Sequence, residues 1–240
     1  MSAGEQAASR LDLPRVRHLE PQTALAADVI VTDDPRAALV LAQALCRRPR
    51  MFNHARGLWG YVGTTAAGRP LTVQSVGIGS ASVATVCCEL VALGAQRLVG
   101  IWGCAGLTHA VPGELMTVAR LVTPDPVSST ILDGCEPRPD ARLLEQLARA
   151  GAKPVPCATS PLPFEPTLAN RGAWLERGAR VVDLGAAALL AVASWTRVPA
   201  AALLFVEAVP ADGAAELLSA SERERALEAA GQAALAALAA

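Results

Sequence analysis

The chain is predicted to fold as one three-layer α/β/α domain around a mixed, mostly parallel sheet. Two stretches carry that expectation. Between Val73 and Leu115 an apolar run, a glycine turn, a helical pattern, a second apolar run and a second glycine-rich segment follow one another. Between Val181 and Val206 a short apolar run, a ten-residue buried stretch and an apolar run rich in small residues repeat the alternation. Strands alternating with helices bury their faces best as a parallel sheet covered on both sides.

Taken in order, residues 1–22 have weak periodicity and are expected to form a flexible or peripheral arm, with the domain running from 23 to 240. Asp28 to Val31 reads as the first strand, Thr32-Asp33-Asp34-Pro35 as its turn, and Arg36 to about Cys46 as a helix. Phe52 to Gly63 and Pro70 to Val76 read as strands around the polar turn Thr64 to Arg69. Gly77-Ile78-Gly79-Ser80 follows, with Ser80 and Ser82 as helix caps. A helix over Ala81 to Leu93 stops at Gly94, a residue suited to the left-handed end of a helix. Arg97 to Trp102 is the next strand, and Gly103-Cys104-Ala105-Gly106 is expected to turn beyond it.

Leu115 to Leu121 is a strand leading to the proline-rich loop Thr123 to Pro126. Leu143, Leu144 and Leu147 form the apolar side of a helix over Asp140 to Ala150. Val155 to Thr159 is a strand, and the three prolines of Ser160 to Pro166 exclude helix or interior strand there. A short helix over Leu168 to Glu176, a strand end at Val181 to Leu184, a buried helix over Gly185 to Thr196 and a central strand over Ala200 to Val206 complete the alternation. The Ala-rich tail from Ala214 to Ala240 is expected to pack as a helix with Glu222, Arg223, Glu224 and Arg225 outward.

Composition narrows the function classes. The net charge is −1 and the densest basic run is Arg47-Arg48-Pro49-Arg50, which reads as a solvated loop. A nucleic-acid face needs several spaced cations and stacking aromatics, and aromatics are 3% of this chain. No apolar stretch is long enough to span a bilayer, and the N-terminus is polar, so the expected location is the cytoplasm. The six cysteines form no C-x-x-C pair, and Cys87 and Cys88 point to different helix faces, so free thiols are expected and no metal site.

The block from Gly77 to Gly106 resembles the nucleoside phosphorylase and nucleosidase superfamily, in which a G-[IM]-G turn and a later G-[ST]-[CA]-G segment frame the site. Arg56-Gly57-Leu58-Trp59-Gly60-Tyr61-Val62-Gly63 resembles that family's R-x-x-x-G-[FY]-x-G hairpin, and Val182 to Leu189 resembles its V-E-M-E-A-A-A-[LIG] helix start. The matches run from about Asp28 to Glu207 in the family's order. The resemblance implies cleavage of a nucleoside's N-glycosidic bond without a cofactor, by a dimer-based homo-oligomer. It also implies that Gly77, Gly79, Gly103, Cys104, Gly106, Phe164, Asp183 and Gly185 line the substrate cleft.

Position by position, the chemistry departs from the frame. The resemblance places Asp33 where a phosphate-binding glycine belongs and Ile101 where a phosphate arginine belongs, leaving Arg56 as the phosphate candidate. Gly185 stands at the carboxylate that grips the ribose hydroxyls, and Asp183 reads as a helix cap. Glu207 and Ala208 stand where purine-cleaving relatives carry Ser-Asp, which makes Glu207 the candidate general acid. A strand-end Glu paired with an arginine is the alternative role. In the base-stacking loop Pro163 replaces the stacking Phe and Phe164 occupies the next aromatic position. His54 and His109 read as ordinary. Three functions stay open: water-dependent cleavage of a nucleoside, a repurposed binding or assembly subunit, and uridine-phosphorylase-like phosphorolysis.

Overall fold

A computed structural model of the chain describes residues 13, 15–108, 110–123, 125–163, 170–210 and 215–240. Among these, ten strands lie in one sheet. β1 (Asp28–Thr32), β4 (Pro70–Ser75), β5 (Arg97–Gly106) and β9 (Ala200–Pro210) form its central parallel group. β3 (Gly60–Thr65) and β2 (Cys46–Asn53) extend one side antiparallel. β6 (Leu115–Leu121), β7 (Lys153–Thr159), β8 (Val181–Asp183) and β10 (Ala215–Leu217) lie on the other side.

The order is β10-β9-β6-β7-β8-β5-β1-β4-β3-β2, with β9 also paired to β5, so β5, β9, β6, β7 and β8 close into a ring. The sheet is mixed as expected, with five parallel and five antiparallel pairings. Closure removes two strand edges that would otherwise need covering.

Helices cover both faces. α2 (Ser80–Ala92), α3 (Pro126–Leu132) and α6 (Ala186–Thr196) pack on one side, where Val29, Val31, Leu98, Trp102 and Leu204 face them. α1 (Pro35–Leu45), α4 (Ala141–Arg149) and α7 (Ala220–Ala239) pack on the other, against Ile30, Val99, Ile101 and Leu203. Alternate residues of β1 and β5 therefore serve two cores, as a central strand requires. α6 is buried from Ala186 through Ala193, which explains a helix with no polar face. α5 (Arg171–Glu176) closes a smaller cluster around Trp174. No described helix is long and apolar enough to cross a membrane.

Several expected boundaries move. Gly103-Cys104-Ala105-Gly106 is strand rather than turn, because β5 runs on to Gly106. A bulge between Cys104 and Ala105 shifts the register of β5 against β9, so that Ala105 pairs with Ala208, while Ala105 and Gly106 pair antiparallel with Val182 and Val181 on the other side. Small residues are needed there for close packing: a Cβ on Gly106 would lie 2.6 Å from that of Ala110. Arg47 to Arg50 belongs to edge strand β2, not a loop, with Arg47, Arg48 and Arg50 exposed. Arginines and Pro49 on an edge discourage pairing with a further strand. The expected single strand 52–63 is broken at a 3-10 turn, Ala55–Gly57, where Arg56 has φ +57°. The proline-rich loop passes directly into α3, whose first residue is Pro126 and whose cap is Asp125. The tail begins as strand β10 before Ser219 caps α7.

Residues 17–19 lie against α2, and Glu20 and Gln22 donate their backbone N–H groups to Asn53 Oδ1 and the Phe52 carbonyl of β2. Leu19 is buried, and the Glu89 carboxylate accepts the backbone N–H groups of Arg17, His18 and Leu19 at 2.9–3.1 Å. His18 Nδ1 stands 2.6 Å from the same carboxylate. These bonds hold Glu89 below its usual carboxylate range against the opposing effect of burial, the largest single influence. Replacing Glu89 with Ala leaves three partly buried N–H groups without acceptors, at a cost of about 2–4 kcal/mol. Limited trypsin digestion should then cut at Arg15 and Arg17 at least about 10-fold faster than in wild type, reporting release of the segment.

Candidate functional site

The carboxyl ends of β1, β5, β7 and β9 meet, with the ends of β4 and β8, in a cleft between the two helical layers, where open parallel sheets place ligands. Asp183, the last residue of β8, organises it. Its Oδ2 accepts Gly185 N–H at 2.9 Å, Ala186 N–H at 2.6 Å and Trp102 Nε1–H at 2.9 Å. Its Oδ1 accepts the Thr159 hydroxyl at 2.6 Å, and Thr159 Oγ1 in turn accepts Ala187 N–H at 3.1 Å. The carboxylate is 2% exposed and spends its lone pairs on the start of α6 and on Trp102. It is a cap, with nothing left to offer a sugar hydroxyl.

Trp102 occupies the space behind it. A Cβ on Gly100 would lie 2.5–2.6 Å from the indole ring, so the missing side chain makes room for it. A Cβ on Gly185 would lie 2.9 Å from Val83 Cγ2 and 3.4 Å from Trp102 Cζ2. A glutamate could not stand at Gly185 without displacing one of them. The compartment bounded by Gly77, Gly79, Trp102, Gly103, Leu184 and Gly185 has a volume of only about 30 Å³. Gly77 and Gly79 both have positive φ, as the turn into α2 demands, and Ile78 between them is exposed.

Beyond Trp102 stand Asp33, Glu207 and Arg223. Asp33 follows β1, faces both the 30 Å³ compartment and a neighbouring pocket lined by Arg36 and Arg223, and has no ion pair among the described residues. Burial pushes its carboxyl up to about 6, helped by Asp34 and Glu207 and opposed by Arg223. Arg223, expected on the exposed side of α7, turns inward, with Nε 2.8 Å from Glu207 Oε1 and Nη1 3.7 Å from Asp34 Oδ2. A Cβ on Gly103 would lie 2.0 Å from Glu207 Oε2, so that glycine exists to let the carboxylate lie over β5. Glu207 is thus both a cleft residue and the ion-pair partner of an arginine.

Beside Glu207 a cavity of about 230 Å³ is lined by Cys104, Leu162, Pro163, Trp174, Val182 and Leu217 among others, mostly apolar. Its Ser160 hydroxyl is engaged with the backbone of Leu162. Cys104 and Cys157 are buried beside Asp183, and burial raises both thiols well above their usual range, so neither is a nucleophile. Phe164 and His109 lie outside the described residues. Arg56 and His54 are exposed on the hairpin, and neither lines the cleft within this chain. Ile101 is fully buried in the α1/α7 core, the place of an arginine taken by an apolar contact. Among the described residues no cluster could hold a metal ion.

The ring of strands and the glycine-lined cleft at their ends define an α/β protein with a cavity between its two helical layers. The family described as "Phosphorylase superfamily" matches residues 28–240, and the chain belongs to it. Its relatives include the DeoD-type purine nucleoside phosphorylase of Oceanobacillus iheyensis, 27% identical over 54% of this chain and 57% of that protein. The DeoD-type enzyme of Photorhabdus laumondii is 31% identical over 39% of this chain and 40% of its own length. That of Exiguobacterium sibiricum is 24% identical over 76% and 81%. Against the first two relatives the match spans about half of their length.

Two residues that matter in the cleft are invisible to motif reading. Arg223 sits in a tail helix whose pattern does not say which arginine faces inward. Trp102 is an ordinary apolar residue of a strand until Gly100 and Gly185 are seen to make space for its ring.

Asp33 makes stability depend on pH with a definite sign. An ordinary Asp titrates near 3.8 and the folded one near 6, so the native state holds the proton more tightly. Stability therefore falls as pH rises between those values, by up to about 3 kcal/mol, and the deficit persists above pH 6. Asp33→Asn should unfold at higher denaturant concentration than wild type at pH 8, and the gap should close near pH 4.

Proposed function

We propose that this member of the superfamily binds a nucleoside-like ligand in the cleft and does not carry out phosphorolysis. The observation that supports this most strongly is the tight packing at Gly185, where an added Cβ would lie 2.9 Å from Val83 Cγ2: a ribose-gripping carboxylate has no room where the family resemblance requires it. Two further positions point the same way. Asp33 is ionised above about pH 6 and repels phosphate, and Ile101 contributes no charge. The same two positions, Ile101 and Gly185, weigh against a uridine-phosphorylase-like reaction.

A second reading, cleavage by water, is favoured by Asp33 itself. A carboxyl held near 6 beside the cleft is matched to taking a proton from water as its oxygen bonds to the anomeric carbon and the C–N bond breaks. Glu207, the candidate general acid, lines the cavity on the leaving-base side.

Incubation with a panel of purine and pyrimidine nucleosides, with and without phosphate, separates these readings by release of free base. Binding without release is the expected outcome. Phosphate-independent release that rises through pH 6 and falls at least about 100-fold in Asp33→Asn and Glu207→Gln establishes the hydrolytic reading. Phosphate-dependent release overturns both.

For assembly we propose a homo-oligomer built on dimers, with the hairpin as contact. Trp59 and Met51 are about 40% exposed there, and exposed aromatic patches mark contacts between proteins. Light scattering should give at least a dimer, and Trp59→Glu should shift it toward monomer. A wild-type monomer at micromolar concentration would sink this assignment.

A further inference from the structure

Between the start of α1 and the start of α7 lies a pocket of about 100 Å³ that shares no lining residue with the cavity beside Glu207. The end of β1 reaches it, where Thr32 closes the strand and Asp33 and Asp34 turn into α1. Ala37, Val40, Phe205 and Leu227 give it apolar walls.

Charge decides what this pocket can hold. Asp33, Asp34, Glu224 and the nearby Glu207 stand against only Arg36 and Arg223. Arg223 is spent on Glu207, at 2.8 Å, and on Asp34, at 3.7 Å, and Arg36 lies 3.5 Å from Glu224. Asp33 is the carboxylate of this group left without an ion pair among the described residues. The surplus is negative, so the pocket repels an anion and attracts a cation. Burial raises the Asp33 carboxyl to about 6, Asp34 and Glu207 add to the rise, and Arg223 is too weak a counterweight.

Thr32 gives a second indication that does not depend on charge. It is fully buried, and its hydroxyl has no hydrogen-bond partner among the described residues. Alternation along β1 turns it the same way as Ile30, onto the α1 and α7 face where the pocket lies. Ser75, its register neighbour on β4, has an unpartnered buried hydroxyl as well. Buried hydroxyls are normally paired, so one that lines a pocket marks a place where a bound group completes the bond.

One kind of group answers both observations. A carboxylate accepts hydrogen bonds, and a hydroxyl can accept them too. A primary ammonium donates three and brings the missing positive charge, whereas water donates two and brings none. We propose that this pocket binds a primary ammonium group on a short aliphatic stem. Asp33 is its ion-pair partner, Thr32 accepts a hydrogen bond from it, and Ala37, Val40 and Leu227 lie against the stem. The site is independent of whatever fills the cavity beside Glu207.

Propylammonium chloride is a direct probe, with tetramethylammonium chloride, which has no N–H, holding the ionic strength constant. At pH 8 the thermal unfolding midpoint of the full chain should rise with propylammonium and saturate at millimolar concentration. The amine stays protonated from pH 5 to pH 8, as a lysine does. Asp33 therefore sets the pH dependence: it is about one-tenth ionised at pH 5, and the half-saturating concentration should be about 10-fold higher there than at pH 8. Asp33→Asn should abolish the response, and Thr32→Val should weaken it about 3-fold or more. The unfolding transition itself reports that each variant is folded. Equal midpoints in the two salts, or an undiminished response in Asp33→Asn, would overturn the proposal. So would equal stabilisation by potassium chloride, which marks a site for an alkali ion.

Discussion

One buried carboxylate ties the cleft together. Asp183 ends β8, starts α6, anchors Trp102 from β5 and takes the hydroxyl of Thr159 from β7. Four elements from separate parts of the chain therefore converge on two oxygen atoms. Buried charge is costly unless every lone pair is used, and here the donors supply that compensation. The geometry of the cleft follows from this node, because the indole that bounds the compartment at Gly185 is fixed by the same oxygen that caps the helix.

The glycine framework reads differently once that node is seen. Gly77 and Gly79 are turn residues with positive φ, as their spacing suggested. Gly103, Gly100 and Gly185 instead make room for the side chains of Glu207 and Trp102. Ile101 is a core contact, and Asp33 sets a hard-to-ionise carboxyl beside the cleft. The chain has the frame of the Phosphorylase superfamily.

Much of the fold was legible because periodicity reports burial directly. β1, β6, α2 and α6 fall within a residue or two of the spans read from apolar spacing and glycine stops. The misplacements share a cause. Cys104 to Gly106 looks like a turn because small residues usually mark one, yet these residues continue β5 as a strand between β9 and β8. Arg47 to Arg50 looks like a loop because charge usually means solvent, yet an edge strand is solvated on its open side.

The sequence by itself determined the layer order, the place of the cleft at the strand ends, and which residues stand at the positions the motifs define, Asp33, Ile101, Gly185 and Glu207 among them. Those follow from local patterning and from residue identity at positions a motif defines. Only the tertiary structure decided that Arg223 faces Glu207, that Asp183 is spent as a cap, and that Trp102 fills the compartment beside Gly185. Each depends on distances between residues far apart in the chain, set by how the ring of strands closes, and no local pattern carries that information.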